Sequence, residues 1–364
     1  MPAAVIDNPH QPDFRALLRH TLPTELLNFW GSKIHPLWSV DQPLAQIVAR
    51  QVTAEGSISL ILKANRNVQM PQAGQHLMLQ AQLNGVWVGR SYSPSVLPDR
   101  PRYLSMTIKQ VDSGKLSTWL TTQAKVGDIV RLGEPFGDFR LPHDQRPVVM
   151  LAAGSGITPM ISLLRDWQQQ PDTRPIQLHY WVSRREQACF VEELLCLQQA
   201  QPNLSFQLYL TQERAIQAHE RQGRICVEQF ADLEDLAQSH VLACGSSDFV
   251  QAAQTSLPHA YQWQVEAFAP PAQPIVASDQ QVTITLQRQQ RSLSVPVGQS
   301  ILAALDAAGI AHPSGCRMGL CNTCACTKLS GTTEHLLDRQ QQYEADSALR
   351  LCVNTAKTDL LLDL

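Results

Sequence analysis

The sequence predicts a multidomain chain: a small antiparallel β-barrel, an α/β unit on a parallel sheet, and a compact α+β unit holding a cysteine-rich loop, behind a short helical extension. Three observations carry this. From Leu44 to about Leu141, short runs of alternating apolar residues are separated by turn signals, the pattern of an antiparallel barrel. After Arg146, uninterrupted apolar runs alternate with helical periods, as in a sheet covered on both faces. Finally, Cys316, Cys321 and Cys324 fall close together and are answered by a distant Cys352. A length of 364 residues suits two or three domains.

In chain order, residues 1–43 form the extension. Phe14, Leu17 and Leu18, then Leu26, Leu27 and Trp30, recur at helical spacing on either side of Pro23. Two short amphipathic helices are expected, with the Leu/Trp face packed on the protein's own body. Residues 44–143 form the barrel. Ile58–Leu62, His76–Leu83 and Tyr103–Lys109 read as strands, and Asn84-Gly85 as a tight hairpin turn. Arg90-Ser91-Tyr92-Ser93 follows the strand that begins at Val86. Gly114, Ser117 and Thr118 open a helix whose free N–H groups make a seat for a pyrophosphate.

Residues 144–270 form the α/β unit. Val148–Ala152 reads as a buried strand, Gly154-Ser-Gly156-Ile-Thr158-Pro159 as the turn after it, and Met160, Ile161, Leu163, Leu164 and Trp167 as the helix. The glycines let the backbone approach a ligand, Thr158 is placed to cap the helix, and Pro159 suits its first position. Strands follow at Ile176–Val182 and Leu204–Leu210, with a helix containing Phe190, Leu194 and Leu195 between them. His240–Cys244 ends in Gly245 at the same crevice. Pro270, Pro271 and Pro274 mark a linker. Residues 279–364 then show two alternating strands around Val282–Leu286 and Leu293–Val297, a helix with Ile301, Leu302 and Leu305, and the cysteine loop.

Three thiolates so close in sequence converge on one centre only if the backbone wraps tightly, which Ser314, Gly315, Gly319 and Asn322 permit. The C-x₄-C-x₂-C spacing with a late fourth cysteine is that of a plant-type [2Fe–2S] site, with Cys316, Cys321, Cys324 and Cys352 as ligands. A structural zinc site and a redox disulfide are the alternatives. Zinc sites more often use two C-x₂-C pairs. Cys326 reads as a spare buried thiol.

Composition excludes other classes. A net charge of −3 gives no nucleic-acid surface, and 44% apolar with 17% charged residues are globular values. Five cysteines scattered outside the quartet do not form a secreted disulfide framework, so a reducing cytoplasm is expected. No stretch approaches the ~18 apolar residues of a membrane span.

The order R-x-Y-S, Gly-x-x-Ser, G-x-G-I-T-P and Cys-Gly, followed by the cysteine quartet, resembles the ferredoxin–NADP⁺ reductase superfamily with a fused C-terminal ferredoxin. The resemblance covers Leu44 to Leu364. It implies a flavin-binding barrel, a nicotinamide dinucleotide domain and a β-grasp [2Fe–2S] domain. It places the flavin ring against Tyr92 with Ser93 near its reactive nitrogen, and the flavin phosphate on Arg90 of the Arg90–Ser93 run, which includes Ser91. Gly114, Ser117 and Thr118 would take a pyrophosphate, favouring FAD over FMN. Gly154, Gly156, Thr158 and Pro159 would receive the dinucleotide, Cys244 and Gly245 would flank the nicotinamide, and Glu266 or Phe268 would supply a group near the flavin. Tyr92, Ser93 and Cys244 are the candidate catalytic residues.

The second strand of the α/β unit ends in Ser183-Arg184-Arg185-Glu186. Arginines at this place accommodate the extra phosphate of NADPH, so NADPH is expected with Arg184 and Arg185 as its clamp, and NADH is the alternative. The implied role is that of an NAD(P)H-dependent reductase feeding an oxygen-activating partner. The extension and the Pro313–Cys324 loop look most like bacterial reductases of membrane fatty-acid desaturases, which would place the protein in the cytoplasm, peripheral to the inner membrane. Reductases of alkane or aromatic-ring oxygenases, and a redox sensor, are the rival readings. Arg317 and Lys328 are candidate cations for steering an acidic partner.

Overall fold

The protein is described from a computed structural model over residues 23–112, 114–231, 236–268, 280–315, 317–319, 321–336 and 339–364. The first expected helix, around Phe14–Leu18, the linker prolines and Cys316 lie outside the described residues.

The first helix, α1, spans Thr24–Ile34. Contrary to the expectation of a packed Leu/Trp face, Leu26, Phe29, Trp30 and Ile34 are exposed, and only Gly31 is buried. Trp38 is the reason. Its ring lies where a side chain at position 31 would stand, so the helix meets the body through its glycine.

The barrel strands are β1 (Leu44–Ala54), β2 (Ser57–Ala64), β3 (Leu77–Leu83), β4 (Val86–Tyr92), β5 (Pro94–Val96), β6 (Tyr103–Lys109) and β7 (Ile129–Leu132). Asn84 and Gly85 join β3 to β4 with φ of 50° and 81°, the left-handed pair that a two-residue hairpin requires. The sheet order is β4-β3-β7-β1-β2-β6-β5, which puts β4 and β5 at opposite edges. Only Ser93 separates them in sequence, and a residue spans at most about 3.6 Å. The two edges therefore come together at Ser93, the seam of the curled sheet, although β4 and β5 do not pair with each other. Helix α2, Lys115–Thr122, packs Leu116 and Leu120 into the barrel core.

The α/β unit has strands β8 (Val148–Ala153), β9 (Ile176–Val182), β10 (Leu204–Leu210), β11 (Glu220–Gln222), β12 (His240–Gly245) and β13 (Gln262–Ala267). They pair in parallel in the order β11-β10-β9-β8-β12-β13. The order reverses between β8 and β12, and the crevice at their carboxyl ends is where such sheets bind ligands. Helices α3 (Ile157–Trp167), α4 (Val191–Ala200) and α5 (Ser247–Ser256) connect the strands. Phe190 precedes α4, with φ of 64°, instead of lying within it.

The third unit pairs β14 (Gln281–Leu286), β15 (Arg291–Pro296), β16 (Ala325–Ser330), β19 (Asp346–Arg350) and β21 (Leu360–Leu362) in the order β15-β14-β21-β16-β19. A second small sheet holds β17 (Thr333–His335), β18 (Gln341–Gln342) and β20 (Asn354–Ala356). Helix α6, Ile301–Ala307, is capped by Ser300 and buries Ile301, Leu302 and Leu305 in a core shared with Cys324, Cys326 and Cys352.

Candidate active site

The barrel seam carries a buried polar chain. Ser93 Oγ lies 3.0 Å from His76 Nδ1, and His76 Nε2 lies 2.9 Å from both Glu266 carboxylate oxygens. The three are 4%, 1% and 5% exposed, so water does not compete for these bonds. A carboxylate oxygen accepts from Nε2–H, and in the neutral ring Nδ1 then accepts from the Ser93 hydroxyl. The Ser93 lone pairs are thereby left for a donor in the adjoining cavity.

That cavity, of about 410 Å³, is walled by all three units. The barrel contributes Arg90, Tyr92, Ser93 and the Gly114–Ser117 turn, the α/β unit Ser155, Thr158 and Phe268, and the cysteine loop Arg317 and Met318. Ser91 Oγ is buried beside it without a protein partner, as expected of a group reserved for a ligand. Burial holds the Tyr92 hydroxyl protonated, well above the usual phenol range, despite the opposing Arg90 charge. Ser117 is spent on the turn itself: its Oγ donates to Gly114 O and accepts from Val111 N, both at 3.2 Å. A Cβ at Gly114 would stand 2.4 Å from that oxygen.

At the sheet crevice, Gly154–Gly156 form a 3₁₀ turn and α3 begins at Ile157. The expected capping by Thr158 is not observed. Gly156 holds the cap position, and Thr158, one residue inside the helix, donates instead to Ser155 O at 3.0 Å. Pro159 accordingly sits two residues into the first turn. Gly156 is required by close approach, since a Cβ there would lie 2.0 Å from Cys244 O. Cys244 is fully buried, pairs with Glu266 across β12 and β13, and has its thiol pushed well up by burial and then by the Glu266 charge. It backs the site; Phe268 is the residue that reaches the cavity.

In the cysteine loop, Arg317, Gly319 and Asn322 all take positive φ, which coils the backbone around the thiols. Cys324 and Cys352 are buried and hydrogen-bonded to each other, and this bond draws the Cys324 thiol down to about 7. Thr323 Oγ1 donates to Cys321 Sγ at 3.1 Å, and a Cβ on Gly315 would come within 2.7 Å of the same sulfur. Cys324 and Cys352 thus pair directly and the charge of Cys321 acts on the Cys324 thiol, a donor set that suits a thiolate-ligated cluster. Among the described residues no three such side chains are drawn together closely enough to hold a metal ion, and the fourth expected ligand, Cys316, is not among those residues. Cys326 is buried beside them with its thiol pushed up to about 12, chiefly by burial. Lys328 cannot steer a partner. It is fully buried, donating from Nζ to Gln342 O at 2.7 Å and Thr333 Oγ1 at 3.3 Å. Arg317 is paired with Asp306 at 2.8 Å.

Comparison with known proteins agrees domain by domain. Residues 48–141 match the oxidoreductase FAD-binding domain, 150–255 the oxidoreductase NAD-binding domain, and 284–357 the 2Fe-2S iron-sulfur cluster binding domain. The β subunit of the heme-dependent oxidative N-demethylase of Ectopseudomonas mendocina is 30% identical, covering 80% of this chain and 89% of its own. The chain belongs to the ferredoxin–NADP⁺ reductase superfamily, in the branch with a fused ferredoxin domain. Also similar to the reductase are an NADPH oxidoreductase of Mycobacterium tuberculosis, 29% identical over 91% of this chain and 86% of its own, and the phthalate 4,5-dioxygenase reductase subunit of Pseudomonas putida, 26% identical over 87% and 95%. The crystal structure of phthalate dioxygenase reductase shares the fold, with a TM-score of 0.59 at 22% identity over 88% of this chain and 97% of that one. The reductase uses FAD, a [2Fe–2S] cluster and NAD(P)H.

The two arginines of the expected phosphate clamp are both engaged in the reductase. Arg184 pairs with Glu55, and Arg185 with Glu220 and Glu213. The residue that sequence reading missed outright is His76. Its only signal was a polar side chain at the head of a strand pattern, which many strands show.

Proposed function

We propose that the reductase supplies electrons to an oxygen-activating partner, taking hydride from a nicotinamide dinucleotide in the β8/β12 crevice and passing single electrons out through the cysteine loop. The observation that carries this reading is the shared wall: Arg317 and Met318 of the loop face the same cavity as Tyr92 and Ser93. When bound, FAD accepts a pair of electrons as hydride and releases them singly, and the cluster accepts one at a time.

The chain's own residues supply geometry and proton control. Arg90 and the backbone at the start of α2 after Gly114, a turn braced by the Ser117 hydroxyl and by the Thr118 amide donating to Gly114 O, hold phosphates, and Tyr92 presents its ring to the flavin. Gly154, Gly156, Thr158, Pro159 and Gly245 shape the seat for the dinucleotide. Ser93, donating to His76, offers its lone pairs to a ring N–H, and His76 and Glu266 lie behind it to receive a proton. Cys244, buried against Glu266, keeps water from the back of the site.

The names of the N-demethylase and phthalate dioxygenase relatives support an oxygenase partner. Among such partners a membrane fatty-acid desaturase is the one favoured by α1, whose exposed Leu26, Phe29, Trp30 and Ile34 suit a site beside a lipid surface. No helix among the described residues is long and apolar enough to cross a membrane. An anaerobic titration of the holoenzyme with reduced nicotinamide dinucleotide tests the circuit: flavin and cluster absorption should bleach together. Reconstitution with a desaturase in vesicles tests the partner. Equal turnover with a water-soluble oxygenase, and none with the desaturase, would favour the ring-hydroxylase reading.

A further inference from the structure

The two arginines that follow β9 stand where an α/β nucleotide site reads the ribose of its dinucleotide, and the structure gives them different roles. Arg185 is fixed. Its Nε and Nη2 donate to the two oxygens of Glu220 at 2.5 and 2.8 Å, and the amides of Ile216 and Gln217 close on the same carboxylate at 2.8 and 3.1 Å. Glu220 is 1% exposed. A ligand that drew Arg185 away would leave a buried carboxylate uncompensated, so Arg185 belongs to the fold.

Arg184 can turn. Its guanidinium bonds Glu55, and the two side chains are 44% and 48% exposed, so they can exchange partners at little cost. Glu55 is not part of the α/β unit. It stands in the β1–β2 hairpin of the barrel, just before Gly56 at φ 67°. That hairpin is docked across the domain boundary: Glu55 N donates to Glu186 O at 2.6 Å, and Gln187 Nε2 to Glu55 Oε2 at 3.4 Å. Glu186 and Glu213 add further negative charge around Arg185.

We propose that Glu55, a barrel residue, sets donor choice by holding Arg184 and opposing the 2′-phosphate of NADPH, which biases the reductase toward NADH. The inference rests on the reading that the end of β9 receives the dinucleotide ribose, and it names the selectivity of that site. It replaces the two-arginine clamp expected from sequence with one arginine and an internal rival for it.

The test is calorimetric binding of 2′,5′-ADP and 5′-AMP to the FAD- and cluster-loaded enzyme at low ionic strength, followed by kcat/KM for both donors. Glu55→Gln should tighten 2′,5′-ADP by about fivefold, the scale of an exposed ion pair, and leave 5′-AMP unchanged. The NADPH/NADH ratio of kcat/KM should rise by a similar factor. Arg184→Ala should weaken 2′,5′-ADP alone, and adding it to Glu55→Gln should remove the gain. An unchanged preference in Glu55→Gln, or an equal shift for both ligands, overturns the proposal, as does a wild-type enzyme that binds neither nucleotide. If the fragments bind as expected but neither donor bleaches the flavin, the donor inference stands and the proposed electron circuit falls.

Discussion

Replacing His76 by Leu should break the buried chain at its centre, and the size of the effect can be worked from the contacts. His76 bonds a carboxylate that is 5% exposed, and hydrogen bonds to charged groups contribute about 1.5–3 kcal/mol. Its bond to Ser93 adds about 1 kcal/mol. Together with the Glu266 charge left without its partner, the loss should be about 3–4 kcal/mol in the barrel and α/β unit. For a unit of that size this is a fall of roughly 10 °C in the melting transition. Heating while following release of flavin fluorescence measures it. The decisive variant is His76→Leu combined with Glu266→Met. The ring of His76 lies between Phe136 and Phe268, at centroid distances of 5.6 and 5.9 Å, so an apolar pair has apolar neighbours. With the buried charge gone, the double variant should recover half or more of the lost stability. A double variant as unstable as His76→Leu would refute the view that the loss comes from a buried Glu266 left without its partner. Both variants should also slow reoxidation of the reduced flavin by ferricyanide, because Ser93 loses the group behind it.

Cys321→Ser should abolish transfer to the oxygenase-type partner and leave NAD(P)H-dependent ferricyanide reduction at the wild-type rate; loss of both activities would mean that the flavin module needs the cluster domain to fold. Gly156→Ala should lower kcat/KM for the dinucleotide on the order of 100-fold with FAD retained, because its Cβ would overlap Cys244 O at 2.0 Å and must push the turn away from β12. Wild-type kinetics in that variant would disprove the close approach. Acid stability should report Glu220. Its hydrogen bond from Arg185 and those from Ile216 and Gln217 hold the carboxyl at about 2, below the ordinary 4.5. A lowered folded value stabilises above the unfolded value and is lost as pH falls, so Glu220→Gln should flatten the stability curve between about pH 5 and 2. Equal slopes for wild type and variant would exclude the linkage.

Much of the fold was legible in the residues because its signals are local. Alternation marked the barrel strands, uninterrupted apolar runs marked β8 and β12, and Asn84-Gly85 declared the hairpin through backbone conformations that few other residues accept. The cysteine spacing likewise records the tight wrapping of one loop. Other features were not legible because they depend on what lies opposite. Lys328 alternates like any strand residue, and nothing nearby in sequence shows that Gln342 will receive its ammonium in the core. The apolar stripe of α1 predicts a buried face, but Trp38 fills the contact at Gly31 and leaves the stripe outside.

What the sequence by itself determined was the order of three units and the chemistry each can hold, since strand period, glycine turns and cysteine spacing are properties of short segments. The tertiary structure decided how those units act on one another. His76 meets Glu266 across 190 residues of chain, Arg184 meets Glu55 across 129, and Arg317 and Met318 reach the cavity beside Tyr92 and Ser93 from the last domain. Such pairings are set by closure of the barrel and docking of the units. A charge gains its role from the burial and the counter-charge that these distant segments bring to it.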